Sequence, residues 1–277
     1  MVQRFEGYFK GFDQTELFYQ TWTPDTSRGT FLITHGLSEH SECYHHVAKE
    51  LCEDGWTVVG WDLRGHGRSE GKRGFVKHLS NYIDDLHCFL SNVIREREHF
   101  VMFGHSMGGL VTIRYNQLNP PTVSALCLSS PALGLSVKVP RLKEALAHVA
   151  IRWVPTLTMH NEIKYEDLTR DEEMLKAPYS DTLRHDKISP GLFLSMVESF
   201  ILALDQAADI KSPVLMQLSG EDRLVSIDAS RDFFEKLPSK NNVQHIYPDS
   251  LHEIFNDRDR GTAITDLKKF LNPYKKA

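Results

Sequence analysis

Short apolar runs separated by helical periodicity are the feature that most restricts how this chain of 277 residues can fold. The runs lie at Thr30–Thr34, Thr57–Asp62, Phe100–Phe103, Ala125–Ser129, Val214–Leu218 and Val243–Tyr247, each rich in β-branched or aromatic side chains. Continuous apolar runs of this length suit strands covered on both faces, as in a parallel sheet. Two further strand-like segments, Phe5–Lys10 and Glu16–Trp22, flank Gly11 and Asp13 and predict a hairpin at the start.

Amphipathic helices fill the gaps. Over His78–Glu98, residues Leu79, Tyr82, Ile83, Leu86, Phe89, Leu90, Val93 and Ile94 keep helical spacing. Ser80 is the expected N-cap, with Asp84 and Asp85 near the positive end of the helix. Weaker patterns cover Ser41–Asp54, Gly108–Leu118, Asp228–Lys236 and Arg260–Phe270. Strand–helix alternation of this kind predicts an α/β fold with helices on both faces of the sheet.

One stretch breaks the alternation, with no strand expected between Pro131 and Pro213. Val139–Pro155 reads as an amphipathic helix with Leu142, Ala145, Leu146, Val149 and Trp153 on one face, and Leu192–Ala208 is helical again. A structureless loop this long is improbable in a compact domain. Residues 134–190 therefore read as a helical cap inserted after the sixth strand, over a core of 1–133 and 191–277.

Composition narrows the function classes. Hydrophobic residues at 41% and charged residues at 25% are ordinary globular usage, and a net charge of −5 supplies no basic field for nucleic acid. Cys43, Cys52, Cys88 and Cys127 lack CxxC spacing and read as reduced thiols. The N-terminus has no apolar signal region, and the longest charge-free stretch, Tyr115–Val137, contains three prolines, so the expectation is a cytoplasmic chain without a membrane span.

The chemistry concentrates at Gly104-His105-Ser106-Met107-Gly108, a G-x-S-x-G run between a strand and a helix. A sharp strand-to-helix turn needs small flanking residues, lifts the serine hydroxyl clear of the sheet, and aims a positive helix end at a developing oxyanion. A serine needs a base, and the base needs an orienting carboxylate. Both are available after later strands, in Glu221-Asp222 and in His252. The order Ser106, Asp222, His252 is that of a nucleophile-elbow hydrolase. Glu221 is the rival to Asp222, and His245 lies inside a strand where it would pack against a helix.

His35-Gly36-Leu37-Ser38-Glu39-His40 follows the strand Thr30–Thr34 and would bring a backbone amide beside the elbow. The Leu37 and Met107 N–H groups are the expected oxyanion hole. Asp62-Leu63-Arg64-Gly65-His66-Gly67-Arg68-Ser69 lacks either phosphate-loop signature and reads as a structural turn tied by Asp62 and Arg64. Among 14 histidines there is no H-E-x-x-H or comparable spacing, and His45-His46 would point apart, so neither a metal nor a cofactor is expected.

Together these segments, with Gly220-Glu221-Asp222-Arg223-Leu224-Val225 and His252-Glu253-Ile254-Phe255-Asn256, resemble the α/β-hydrolase superfamily. More narrowly the chain is similar to the monoacylglycerol lipase and lysophospholipase group, often labelled serine aminopeptidase-like. The resemblance implies a sheet of about eight mostly parallel strands, a helical cap, and ester hydrolysis by Ser106, His252 and Asp222. One departure is that Leu37 and Ser38 follow His-Gly where the family usually has small residues, which narrows the entrance.

The expected function is a serine hydrolase for single-chain acyl lipids, monoacylglycerol or lysophospholipid, acting through an acyl-enzyme on Ser106. A small-ester esterase or amidase, and a non-catalytic ligand-binding scaffold, are the alternatives. The cap helix either packs on the core or presents Trp153 to a membrane surface in transient contact.

Overall fold

The computed structural model describes residues 2–94, 98–119, 123–136 and 141–276. Its strands are β1 (Gln3–Lys10), β2 (Glu16–Thr23), β3 (Thr30–Thr34), β4 (Thr57–Trp61), β5 (Phe100–His105), β6 (Ala125–Ser129), β7 (Met159–His160), β8 (Lys187–Ile188), β9 (Val214–Ser219) and β10 (Val243–Tyr247). Its helices are α1 (His45–Glu53), α2 (Ser80–Asn92), α3 (Ser106–Leu118), α4 (Arg141–Trp153), α5 (Glu172–Ser180), α6 (Pro190–Asp205), α7 (Ile227–Glu235) and α8 (Arg260–Leu271).

Eight strands form one sheet in the order β1-β2-β4-β3-β5-β6-β9-β10. β1/β2 and β2/β4 pair antiparallel, and every later pair is parallel. The expected mostly parallel sheet with an opening hairpin is thus the observed one. Its central strands alternate between two cores because successive side chains point to opposite faces. Leu32, Met102, Leu126, Leu128 and Met216 pack with α2, α3, α6 and α7 on one face. Phe31, Ile33, Val101, Phe103 and Cys127 pack with α1 and α8 on the other.

β4 lies on one side of β3 and β5 on the other, so the strand order reverses there. The crevice at such a switch point, outside the carboxyl ends of the strands, is where open α/β sheets bind ligands. The turns after β3 and β5 both open into it, and those after β9 and β10 approach from the same edge.

Three expectations need correction. The helix expected over His78–Glu98 is shorter, and Ser80 is its first residue rather than its cap. The helical backbone already includes Leu79, and the Ser80 hydroxyl lies 3.1 Å from His78 Nδ1, not on an orphan helix amide. Residues 95–97 lie outside the described part. Second, the stretch between Pro131 and Pro213 does contain strands, a two-residue antiparallel ladder of β7 and β8. Ladders this short carry no period-two signal, so only a tertiary pairing reveals them.

The third concerns α4. Leu146, Val149 and Trp153 are 58%, 56% and 75% exposed, so these residues do not pack on the core. Leu142, on the same predicted face, lies outside the described side chains. Among the described residues no helix is long and apolar enough to cross a membrane. Cys43, Cys52, Cys88 and Cys127 are free thiols.

Candidate active site

β5 runs directly into α3, and Ser106 occupies the junction at φ +51°, the left-handed region that L-residues avoid. The crowding explains the flanking glycines. A Cβ on Gly104 would sit 2.6 Å from the Gly108 carbonyl oxygen, and one on Gly108 would sit 2.3 Å from those of Thr34 and His35. The turn holds the Ser106 hydroxyl 2.8 Å from His252 Nε2, and His252 Nδ1 lies 2.7 Å from Asp222 Oδ2.

A carboxylate only accepts hydrogen bonds, so the imidazole proton sits on Nδ1 and leaves Nε2 to accept from Ser106. Burial drives His252 toward the neutral form, but the Asp222 charge and hydrogen bond outweigh it and raise the pKa above 6.5. Burial opposes ionisation of Asp222 as well. The His252 charge and hydrogen bond, with the Leu224 and Val225 amides at 2.9 and 3.0 Å, hold that carboxyl below its usual range. Glu221 turns away to Arg170 at 3.4 Å, and His245 lies 3.8 Å from Asp266 on α8. The structure thus joins Ser106, His252 and Asp222 and leaves both rivals outside.

Leu37 lines the cavity above Ser106. Met107 is the second residue of α3, so its N–H is one of the helix-start amides without an intrahelical acceptor. The turn carrying Leu37 is held by buried polar groups. His35 Nδ1–H donates to the Gly36 carbonyl at 2.7 Å, and Nε2 accepts from the Leu63 N–H at 3.0 Å. Burial pushes this imidazole down to about 3, so both bonds are made by the neutral ring. Burial likewise pushes His105, on the sheet side of Ser106, down to about 3.

The segment Asp62–Ser69 is the structural turn expected. Asp62 accepts from the Ser41 and Arg68 amides at 2.7 and 2.8 Å. Arg64 forks onto the buried Asp85 at 2.6 and 2.7 Å and onto Asp13 at 2.9 Å.

Sequence reasoning missed a buried charge cluster beside the triad. Glu39 accepts from the Gly36 N–H at 2.7 Å and from the Tyr44 hydroxyl at 2.9 Å. Arg184, only 7% exposed, lies 3.3 Å from Glu253 and 3.9 Å from Glu39. Burial and the neighbouring Glu253 raise the Glu39 pKa. Burial opposes ionisation of Glu253 too, but Arg184 holds it well below the carboxylate range. Glu39 adjoins the expected oxyanion turn and Glu253 follows His252, so both lie within the segments that carry the site. Arg184 lies in a polar stretch with no local pattern to mark it. Asn161 adds a second tie, donating to the Ser38 hydroxyl at 2.8 Å.

These groups enclose a cavity of about 230 Å³ lined by Leu37, Glu39, Ser106, Arg184, Leu224 and His252, among others. Residues 25–259 match the family model described as serine aminopeptidase, S33. The chain belongs to this hydrolase family. A monoacylglycerol lipase of Mycolicibacterium smegmatis is 30% identical over 272 residues, covering 97% of both chains. Phospholipase YtpA of Bacillus subtilis is 28% identical, covering 92% of this chain and 99% of its own. The crystal structure of a Paleococcus ferrophilus monoacylglycerol lipase superposes with a TM-score of 0.84 at 31% identity, covering 99% of both chains. The architecture is therefore the α/β-hydrolase fold, and the chain is an ester hydrolase.

Proposed function

We propose that this ester hydrolase cleaves single-chain acyl lipids, monoacylglycerols before lysophospholipids, through an acyl-enzyme on Ser106. The observation that carries the reading is the continuous hydrogen-bonded run Ser106–His252–Asp222, of which Ser106 and His252 line the cavity. Ser106 Oγ attacks the ester carbonyl while His252 Nε2 takes its proton. The Leu37 and Met107 amides receive the oxyanion, one such donor being worth about 2.7–4 kcal/mol. His252 then protonates the leaving alcohol, and water, deprotonated by the same nitrogen, releases the fatty acid.

Charge supports the choice of head group. Glu39, Glu162, Asp186 and Glu253 line the cavity against the single arginine Arg184, which already faces two carboxylates. That balance suits hydroxyl groups and repels a phosphate. The cavity is smaller than the roughly 300–1,000 Å³ of pockets that enclose a whole drug-sized ligand. It therefore holds the carbonyl and head group, and the acyl chain runs outward under residues 134–190, which act as the cap. The exposed Leu146, Val149 and Trp153 of α4 give that cap an apolar outer face for transient contact with a lipid surface.

The test is hydrolysis of monoacylglycerol, lysophosphatidylcholine and a p-nitrophenyl ester series from acetate to palmitate, with an alanine p-nitroanilide as the peptidase control. Rates rising with chain length and favouring monoacylglycerol are expected. Activity confined to acetate and butyrate overturns the lipid reading, and activity confined to the anilide shifts it to a peptidase. Vesicle co-sedimentation that Trp153→Ser lowers is the expected sign of cap contact, and no sedimentation of the native chain removes that part.

The pH profile follows from His252. The base must be neutral, and its pKa lies above 6.5, so kcat/KM is expected to fall with acid from a higher pH than an unpaired histidine would set. Asp222→Asn removes the largest of the influences that raise it and leaves the smaller ones of Glu253 and Glu39. The midpoint is expected to move toward acid while the plateau drops by about four orders of magnitude, the loss typical of a misoriented triad imidazole. A midpoint that stays in place would assign the titration to another group.

A further inference from the structure

A second cluster lies beside the first, outside the Ser106–His252–Asp222 run. His40 precedes the short 3-10 turn Ser41–Tyr44, and Cys43 lies within it. The Cys43 N–H donates to the His40 carbonyl at 3.1 Å, and this local turn keeps the two residues close. Asp181 arrives from the distant segment after α5, and its Oδ2 lies 2.7 Å from His40 Nε2. One imidazole nitrogen, the Cys43 sulfur and a carboxylate oxygen of Asp181 lie within 4.8 Å of one another.

Two further observations concern this place. The His40 side chain is only 4% exposed, and its Nδ1 is buried with no hydrogen-bond partner among the described residues. A second cavity, also about 230 Å³, opens against His40, Cys43, Asp181, His46 and Met174. It has room for water.

We propose that His40, Cys43 and Asp181 bind a borderline-soft divalent cation, Zn²⁺ above all. Nitrogen, sulfur and oxygen donors at about 2.0–2.3 Å are the ordinary zinc set, and three protein ligands plus one water make a tetrahedron. Ligand atoms in such a tetrahedron are roughly 3.5 Å apart, so the His40–Asp181 hydrogen bond at 2.7 Å must open and the wider spacings close, by shifts of about 1 Å. Asp181 is partly exposed, its Oδ1 accepting from the Leu183 N–H at 2.9 Å and its Oδ2 lying on His40. Thiolate and carboxylate together cancel the ion's charge, and binding transfers the Cys43 proton to solvent. Arg184, 4.0 Å from Asp181 Oδ2, opposes the ion and limits its affinity.

The consequence is mechanical. His40 and Cys43 belong to the turn that follows Leu37, and Asp181 belongs to the segment that carries Arg184. The ion ties the two together and draws Asp181 away from Arg184, which lines both cavities. Bound zinc is thus expected to stabilise the fold and slow ester turnover.

The test uses the full chain, stripped with chelator and titrated with Co²⁺. Thiolate ligation gives a near-ultraviolet charge-transfer band and intense visible bands of tetrahedral cobalt. One equivalent is expected to saturate them, Zn²⁺ to displace them, and Cys43→Ser to abolish the charge-transfer band while fluorophosphonate labelling of Ser106 stays intact. Asp181→Asn is expected to weaken affinity at least about tenfold, the effect of removing a ligand or its close support. It also decides the question should Cys43→Ser fail to fold. No charge-transfer band in the native chain, a band that survives Cys43→Ser, or unchanged affinity in Asp181→Asn overturns the proposal. Because the readout is spectroscopic, it stands apart from the identity of the ester substrate.

Discussion

Ser106→Ala is expected to lower kcat by about six orders of magnitude, with KM nearly unchanged. The oxygen removed is the one placed 2.8 Å from His252 Nε2, and among the described residues no other hydroxyl bonds that nitrogen. Alanine keeps the backbone of the elbow and leaves the helix-start amides in place. A residual acceleration of about 10³–10⁴ over water is therefore expected from the oxyanion hole and substrate binding alone. The loss should appear in single turnover as well as in the steady state. Intact-protein mass spectrometry should show an acyl adduct on the native chain during turnover and none on the variant. A variant that keeps more than about a thousandth of the native rate would mean that another group attacks the ester.

Arg184→Met is expected to have the largest effect on stability. The guanidinium is nearly inaccessible and faces Glu253 and Glu39, each buried. Methionine replaces the stem of the side chain and leaves two carboxylates without their cation. Breaking a buried pair from one side costs about 3–5 kcal/mol, because the remaining charge stays out of water. For a chain of this size that corresponds to a fall in Tm of roughly 10 °C. Arg184→Lys keeps the charge but loses the fork, and a smaller loss is expected. Adding Glu253→Gln to Arg184→Met should recover part of the stability, since it removes one stranded charge. Activity should also fall, because Glu39 holds the Gly36 amide of the turn that carries Leu37. A fall in Tm below about 2 °C, or no recovery in the double variant, would show that solvent already screens this cluster.

Some of this was readable along the chain, and the reason is that local chemistry repeats itself in sequence. Strands covered on both faces must be apolar throughout, so all eight main-sheet strands lie where the apolar runs and the opening hairpin place them. The elbow demands glycine on both sides of Ser106, so its signature is contiguous. Asp222 and His252 each follow a strand, and a parallel sheet gathers strand ends at one edge, which makes both candidates; Glu221 and His245 share the same order along the chain, and only the contacts of His252 with Asp222 and Ser106 set them apart.

Where the signal was non-local, only the folded chain decided. The β7–β8 ladder is two residues long and exists because its halves meet across the cap segment. The outward aim of Leu146, Val149 and Trp153 could not follow from helical spacing, which marks an apolar face without saying what covers it. Arg184 has a carboxylate near it in sequence, Asp181 at 4.0 Å; its closer partner is Glu253, with Glu39 beyond, and the ends of β3 and β10 bring these two together. The meeting of His40 and Cys43 with Asp181 is of the same kind, two residues placed by a local turn and the third by the path of a distant segment. Periodicity and turn chemistry act over a few residues and are written in order along the chain. Charge pairing and ligation act across a few ångströms of space, and the fold alone sets which residues share it.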